Sequence, residues 1–169
     1  IIGNYIRQAA YYGVNMLLTP LFTPPLDTAR GEERPTVQLV DIYYSKDGYS
    51  FDFSKLERYI KLALDCGIKY FEFPHLFTQW GSEHAPKIIV TENGRSYRRF
   101  GWETNADSAE YAEFLQSFLP AVKSFMQKKN LLDKCLFHIS DEPDEKHIES
   151  YRKAVQTVLP LLKGCKTID

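Results

Sequence analysis

The predicted order of helices and strands restricts the fold of this chain more than any other feature of its sequence. Stretches with apolar residues at helical spacing alternate with short apolar stretches, and a glycine often separates the two. The sequence therefore predicts a helix followed by a strand four times in succession. Strands joined through helices pair in parallel with right-handed crossovers, which indicates an α/β fold with a parallel sheet. The predicted helices are 2–12, 54–66, 108–128 and 145–163, and the predicted strands are 14–19, 68–73, 135–140 and 166–169.

The connections between these elements differ in length on the two sides of the predicted sheet. Turns from helix to strand take only a few residues, around Gly13, Gly67, Asn130 and Gly164. Two connections from strand to helix exceed thirty residues. Long loops on one side are typical of (β/α)8 barrels, whose active sites lie at the carboxyl ends of the strands. A doubly wound sheet is the alternative fold, but no glycine-rich nucleotide motif follows any predicted strand.

The two long loops each carry the signature of a β-hairpin. Predicted strands at 37–44 and 49–53 flank the turn pair Asp47-Gly48, and a second turn pair stands at Asn93-Gly94. We therefore expect residues 1–169 to be a single domain of class α/β, a partial (β/α)8 TIM-type barrel of about four βα units with hairpin insertions. The sequence starts without Met and ends in a predicted strand, so we expect a fragment of a larger protein.

Two of the predicted helices start with an apparent capping box. Ser54 stands three residues before Glu57, and Asp107 stands three residues before Glu110. Pro120 falls within the third predicted helix, where its missing N–H and its ring predict a bend or an interruption.

Charge and cysteine content limit the partners that we expect. The net charge is −1 with no basic stripe, which argues against a nucleic-acid partner. No run of about 18 apolar residues is present, so we expect no membrane partner. The three cysteines are Cys66, Cys135 and Cys165, an odd set without a CxxC, so reduced thiols and a cytoplasmic location are favoured. The open edges of an incomplete sheet favour self-association.

Two adjacent carboxylates at the end of the third strand are the main candidates for chemistry. The stretch from Leu136 to Pro143 runs as a strand into Asp141 and Glu142 before proline stops it. Alternation would send Glu142 towards the interior of a barrel and Asp141 away from it, unless the backbone turns there. Acidic side chains at the start of a helix also interact favourably with the helix dipole, so a purely structural role for the two acids is the alternative. The inward set is Leu136, His138, Ser140 and Glu142, and the outward set is Phe137, Ile139 and Asp141.

Further candidates lie on the same side of the predicted sheet. His75 ends the second strand after a proline, and Trp80 and Trp102 lie in the long loop beyond it. Exposed indoles stack on sugar rings, but they equally serve to fasten a loop to the core. Asp27 belongs to the first long loop and is interpreted as a turn former.

The sequence contains no motif of a metal site or of a serine hydrolase. No GxSxG motif is present, and the candidate ligands match no metal motif, so we expect neither a metal nor another cofactor. These candidate ligands are His75, His84, His138 and Asp141.

Three stretches resemble a known family. They are Leu17–Thr28 (LLTPLFTPPLDT), Tyr70–Gly81 (YFEFPHLFTQWG) and Phe137–Pro143 (FHISDEP). Together they resemble the bacterial domain-of-unknown-function family 4091, whose catalytic region is similar to that of glycoside hydrolase family 123, the β-N-acetylgalactosaminidases. The resemblance implies a (β/α)8 barrel and a carbohydrate substrate. It also implies that Glu142 is a general acid and then base, that Asp141 holds the 2-acetamido group, and that His75 and Trp80 contact the sugar. His138 and Trp102 are the further candidates for binding the substrate.

Substrate-assisted hydrolysis is the mechanism that this resemblance implies. The acetamido oxygen of the substrate attacks the anomeric carbon, so the enzyme needs no nucleophile of its own and the configuration is retained. One acid of raised pKa near the leaving oxygen and one carboxylate at the amide N–H suffice. A non-catalytic carbohydrate-binding domain on a degenerate barrel is the main alternative, and there binding would depend on Trp80 or Trp102.

Overall fold

The computed structural model describes residues 1–26, 28–79, 81–140 and 145–168. The predicted acids Asp141 and Glu142, together with Trp80 and Asp27, lie outside these residues. The described chain is a mixed α/β structure. Its helices are α1 (Ile2–Tyr11), α2 (Ser54–Asp65), α3 (Ala109–Lys128) and α4 (Ile148–Val158), and its strands are β1 (Met16–Leu18), β2 (Asp41–Ser45), β3 (Gly48–Asp52), β4 (Tyr70–Glu72), β5 (Ile88–Glu92), β6 (Arg95–Phe100), β7 (Cys135–His138) and β8 (Lys166–Ile168).

A parallel sheet forms the centre of the domain. Its strand order is β1-β4-β7-β8, and each neighbouring pair runs in parallel. These are the four strands that the alternating pattern predicts, and each lies beside the strand of the next βα unit. The order therefore shows no reversal among the described strands, whereas a reversal is what defines the switch point of a doubly wound sheet.

The two faces of this sheet differ in exposure. Phe71, Cys135 and Phe137 are fully buried. Glu72 and Leu136 lie on the opposite face, where they are only partly buried. The alternation predicted for β7 is thus confirmed by its burial pattern, and the described residues cover the opposite face less completely.

The two hairpins join into a second sheet, which the sequence did not predict. Its order is β3-β2-β5-β6, with β2 and β5 paired in parallel through Tyr43 and Thr91. The side chain of Gln38 reinforces this junction, because its amide donates to the Ile89 carbonyl and its carbonyl accepts from the Ile89 N–H. Both predicted turns are confirmed, although the first hairpin strand begins at Asp41 rather than at residue 37.

Aromatic packing holds the second sheet against α3. Phe114 and Phe118 stack at 5.2 Å between ring centroids, and Phe51 of β3 meets the Phe118 ring edge-on at 5.3 Å. All of α3 is continuous through Pro120, so the predicted interruption is wrong. Burial of these rings at the junction outweighs the single hydrogen bond that a proline removes from the helix.

Both predicted capping boxes are wrong in detail. Ser54 is the first residue of α2, and its N–H and hydroxyl donate to Asp52 Oδ1 at 2.8 and 2.5 Å. At α3 the N-cap is Ser108, whose hydroxyl accepts from the N–H of Tyr111, rather than Asp107. The fourth helix is shorter than predicted, because residues 145–147 form a 3-10 turn and α4 ends at Val158.

Candidate functional site

Two histidine rings contact each other at a tilt at the carboxyl end of the parallel sheet. The rings of His75 and His138 lie 3.8 Å apart between centroids, with an angle of 47° between their planes. Nδ1 of His138 lies 3.2 Å from Oε1 of Glu72 on the neighbouring strand. The sequence predicts both histidines as site residues, and the structure brings them together. Glu72 is a member of this group that the sequence did not indicate.

The segment after β4 extends the sheet past the formal end of the strand. The N–H groups of Phe73, Leu76 and Phe77 donate to the carbonyls of residues 136, 138 and 139 at 2.8, 3.0 and 3.0 Å. From α3, the hydroxyl of Tyr111 donates to the carbonyl of Leu76. These bonds hold the backbone on both sides of His75, so its ring position is determined by the fold.

A hydrogen-bonded chain leads from the end of β7 into the second long loop. The hydroxyl of Ser140 donates to the carbonyl of Thr78 at 3.1 Å. Thr78 also pairs with His84, since the Thr78 N–H donates to the His84 carbonyl and the His84 N–H donates to the Thr78 hydroxyl. Ser140 directly precedes the two predicted acids in the sequence. His84 is therefore linked through Thr78 to Ser140, the residue that precedes those acids in the sequence.

Burial sets the charge of His75. Its side chain is 1% exposed, and burial, followed by the neighbouring His138, lowers its pKa from 6.5 to about 3. Desolvation disfavours the imidazolium, so His75 is neutral at physiological pH and offers one donor and one acceptor nitrogen.

Because the buried imidazole of His75 is neutral in the folded chain, we predict that the free energy of unfolding falls at acid pH. The unfolded chain protonates His75 near pH 6.5, whereas the folded chain does so only near pH 3. Stability that is fully present above pH 6.5 is therefore lost as the pH falls through that window, by at most about 1.4 kcal/mol per pH unit. Urea unfolding at pH 7 and pH 5 should show that the wild type loses roughly 2 kcal/mol more than His75→Gln. Equal losses in the two proteins would contradict this assignment.

A polar cavity lies beside the rim, between the second long loop and the start of α4. Its volume is about 510 Å³, within the range of small-molecule sites. Four of its lining residues also line an adjoining cavity of about 160 Å³, which reaches Trp102. The four shared residues are Arg30, Glu83, His84 and His147. Sequence reasoning missed this cavity and considered His84 only as a metal ligand, since the residues that form the cavity come from four separate segments.

Trp102 is used to fasten the first long loop. Its indole N–H donates to the carbonyl of Glu32 at 3.0 Å, and its ring meets His84 edge-on at 5.8 Å. Nearby, Lys87 Nζ lies 2.9 Å from the carboxylate of Glu33 and adds a second link to the same loop. Of the two roles considered for this indole, the half-buried ring of Trp102 attaches a loop to the core. It also borders the smaller cavity.

Other kinds of site find no support in the described residues. They contain no group of three or more His, Cys, Asp or Glu side chains placed to hold a metal ion. None of their helices combines the length and the apolar character needed to cross a bilayer. Cys135 is buried and burial raises the pKa of its thiol to about 12, so it is an unreactive core residue.

Comparison with known proteins identifies the family of this chain. A comparison with curated proteins finds no significant match. Among solved structures, the chain is similar to a family 123 glycoside hydrolase from Clostridium perfringens, with a TM-score of 0.65 and 12% identity. That match covers 90% of this chain but only 26% of the other chain. The family model described as "Glycoside hydrolase 123, catalytic domain" matches residues 1–169. The chain therefore belongs to the family of glycoside hydrolase 123 catalytic domains.

Proposed function

We propose that this chain is part of the catalytic region of a retaining glycoside hydrolase, which removes a terminal β-linked N-acetylhexosamine by substrate assistance. The observation that carries the proposal is the family match along all 169 residues. The related Clostridium perfringens enzyme is described as hydrolysing glycolipid glycans, which favours a glycan as the substrate here.

Asp141 and Glu142 are the residues that we propose for the chemistry. Glu142 donates a proton to the leaving oxygen and then withdraws one from the attacking water, and Asp141 accepts the acetamido N–H and stabilises the oxazolinium-like charge. Both follow Ser140, which the fold holds at the rim through Thr78. His75 and His138 lie together at the same rim and support a sugar subsite there, because imidazole nitrogens form hydrogen bonds with hydroxyl groups.

We propose that the parallel sheet is one half of a (β/α)8 barrel. The sequential strand order, the long loops on one side and the open sheet face all support this architecture. The open face would then be the wall of the barrel interior, closed by strands from outside this chain. The two edge strands, β1 and β8, leave backbone groups without a strand partner on their outer sides among the described residues. The isolated chain is accordingly expected to self-associate.

The test uses the intact protein that carries this chain. We expect release of 4-nitrophenol from 4-nitrophenyl N-acetyl-β-galactosaminide, and proton NMR should show the β-anomer of the sugar as the first product. A hexosamine thiazoline, which mimics the oxazoline, should inhibit the reaction competitively. If the protein binds the thiazoline or the sugar without any turnover, the carbohydrate-binding alternative is correct. If the α-anomer appears first, the retaining mechanism is excluded.

A further inference from the structure

A carboxylate stands on the less covered face of the parallel sheet, at the end of β4. Glu72 lies opposite Leu136 in the register of β4 and β7, and its side chain is 24% exposed. On one side the Thr19 N–H donates to the Glu72 carbonyl at 2.7 Å, and on the other side the Phe73 N–H donates to the Leu136 carbonyl at 2.8 Å. Both neighbouring strands therefore fix the backbone that carries this carboxylate. A carboxylate with little access to water needs a partner that compensates for its lost hydration.

The imidazole of His138 is the partner of this carboxylate. His138 follows Leu136 by two positions on β7, so its side chain lies on the same face of the sheet as Glu72. Nδ1 of His138 lies 3.2 Å from Oε1 of Glu72, and the histidine side chain is 12% exposed. A carboxylate oxygen accepts hydrogen bonds, so the proton between these two atoms belongs to Nδ1 of the imidazole.

His75 contacts the face of the same ring. Its own ring is buried, and the two imidazole centroids lie 3.8 Å apart. The N–H groups of Leu76 and Phe77 donate to backbone carbonyls of the β7 segment, so the position of His75 is fixed. A half-turn of the His138 ring about its Cβ–Cγ bond would keep the contact with His75 but would lose the hydrogen bond to Glu72. The carboxylate therefore decides which of the two ring orientations is present.

We propose that Glu72 is a positioning residue for the sugar site at the rim. It holds the proton of neutral His138 on Nδ1, which makes Nε2 the accepting nitrogen of that ring, and a hydroxyl of the substrate donates to Nε2. The hydrogen bond of one imidazole nitrogen determines the protonation of the other, so a carboxylate at Nδ1 sets the role of Nε2. At this position the substrate needs a hydroxyl group that donates, because an ether or a fluorine has no proton to give.

Nitrogen NMR tests the tautomer of His138 without requiring catalysis. The intact protein is labelled with nitrogen-15 at its histidines, and the signals that disappear in His138→Gln belong to His138. At neutral pH we expect a protonated Nδ1 and an unprotonated Nε2 in the wild type. In Glu72→Leu the Nε2–H tautomer should appear, and Glu72→Gln should be intermediate because its amide carbonyl still accepts. A proton on Nε2 in the wild type, or an unchanged tautomer in Glu72→Leu, would overturn the proposal.

The sugar part of the inference rests on the proposed function, and added N-acetylgalactosamine tests it separately. In the wild type we expect the sugar to move the Nε2 signal of His138 towards that of a protonated nitrogen and to leave the Nδ1 signal almost unchanged. Among analogues in which fluorine replaces one hydroxyl at a time, one should bind without moving Nε2. Sugar binding with no change at Nε2 refutes this inference alone. A protein that binds no amino sugar contradicts the proposed function as well, although the result for the tautomer still holds.

Kinetics then show whether Glu72 acts through His138. We expect Glu72→Leu to lower kcat/KM for 4-nitrophenyl N-acetyl-β-galactosaminide by about tenfold, mainly through a higher KM, as expected for one weakened hydrogen bond to the substrate. The double variant with His138→Gln should lose no more than His138→Gln alone, because Glu72 then has no imidazole to position. Losses that simply multiply, or a lower Tm with an unchanged KM, would refute the positioning role.

A second strand carboxylate provides the matched control. Glu92 lies on β5 of the second sheet and accepts a hydrogen bond from the Tyr97 hydroxyl at 2.9 Å. Glu92→Leu therefore removes one carboxylate and one side-chain hydrogen bond, as Glu72→Leu does. We expect Glu92→Leu to keep kcat/KM within about twofold of the wild type and to leave the His138 tautomer unchanged. Equal changes in both variants would indicate a general effect on the fold and would reject the role of Glu72.

Discussion

Glu142→Gln in the intact protein is expected to lower kcat for an N-acetyl-β-hexosaminide with a sugar leaving group by about 10²- to 10⁴-fold. Glutamine keeps the size of the side chain but cannot give a proton to the departing oxygen. The loss should be smaller for a 2,4-dinitrophenyl glycoside, because a phenolate of low pKa leaves without protonation. The measurement is kcat for the two substrates in the wild type and in the variant.

A nearby acid supplies the control for this substitution. Glu145 follows three residues later at the exposed start of the 3-10 turn, so Glu145→Gln removes a similar charge from the same region. We expect Glu145→Gln to leave kcat within about twofold of the wild type. If Glu142→Gln also leaves kcat unchanged, or if its loss is equal for both leaving groups, Glu142 is not the general acid.

Asp141→Asn is expected to lower kcat by about 10²- to 10³-fold, because an amide retains an acceptor oxygen but lacks the charge that opposes the oxazolinium ion. The same substitution should weaken inhibition by the hexosamine thiazoline, whose ring carries part of that charge. Inhibition constants and kcat measured on the same preparations test both expectations. Glu142→Gln serves as the comparison, since its thiazoline affinity should change far less than that of Asp141→Asn.

Thermal unfolding separates this assignment from a structural role for Asp141. A carboxylate that only favours the helix dipole contributes about 0.3–1 kcal/mol to stability and nothing to catalysis. If Asp141→Asn lowers the Tm while kcat and the inhibition constant stay the same, the residue serves the helix and the catalytic proposal for it is refuted.

The sequence was sufficient to predict the parallel sheet and the position of His75 at its carboxyl end. The alternation of helix and strand predicts β1, β4, β7 and β8, and their residue bounds are met to within a few positions. His75 follows the second strand of this sheet, so its position at the rim required only strand order and direction, whereas its contact with His138 was not predicted. Local periodicity and chain connectivity carry this much information.

Long-range contacts explain what the sequence did not predict. The junction of β2 with β5 brings together residues about fifty positions apart, and no local pattern in either hairpin indicates it. The environment of His84 likewise depends on Arg30 and on the start of α4. The capping predictions at Ser54 and Asp107 are wrong for a local reason. Another residue able to accept a backbone hydrogen bond, Asp52 or Ser108, stands within two positions of the predicted cap and takes its place.

The joined hairpins have a consequence for how this domain can diversify. Each long loop would be free to change length if it stood alone, but β2 and β5 share a register, and Gln38 spans the junction. An insertion or deletion in one hairpin must therefore preserve its pairing with the other, so the two loops are under a common selection pressure. We expect related chains to vary in the two hairpin turns and at the cavity wall, and to keep the length of the segments that meet at the junction.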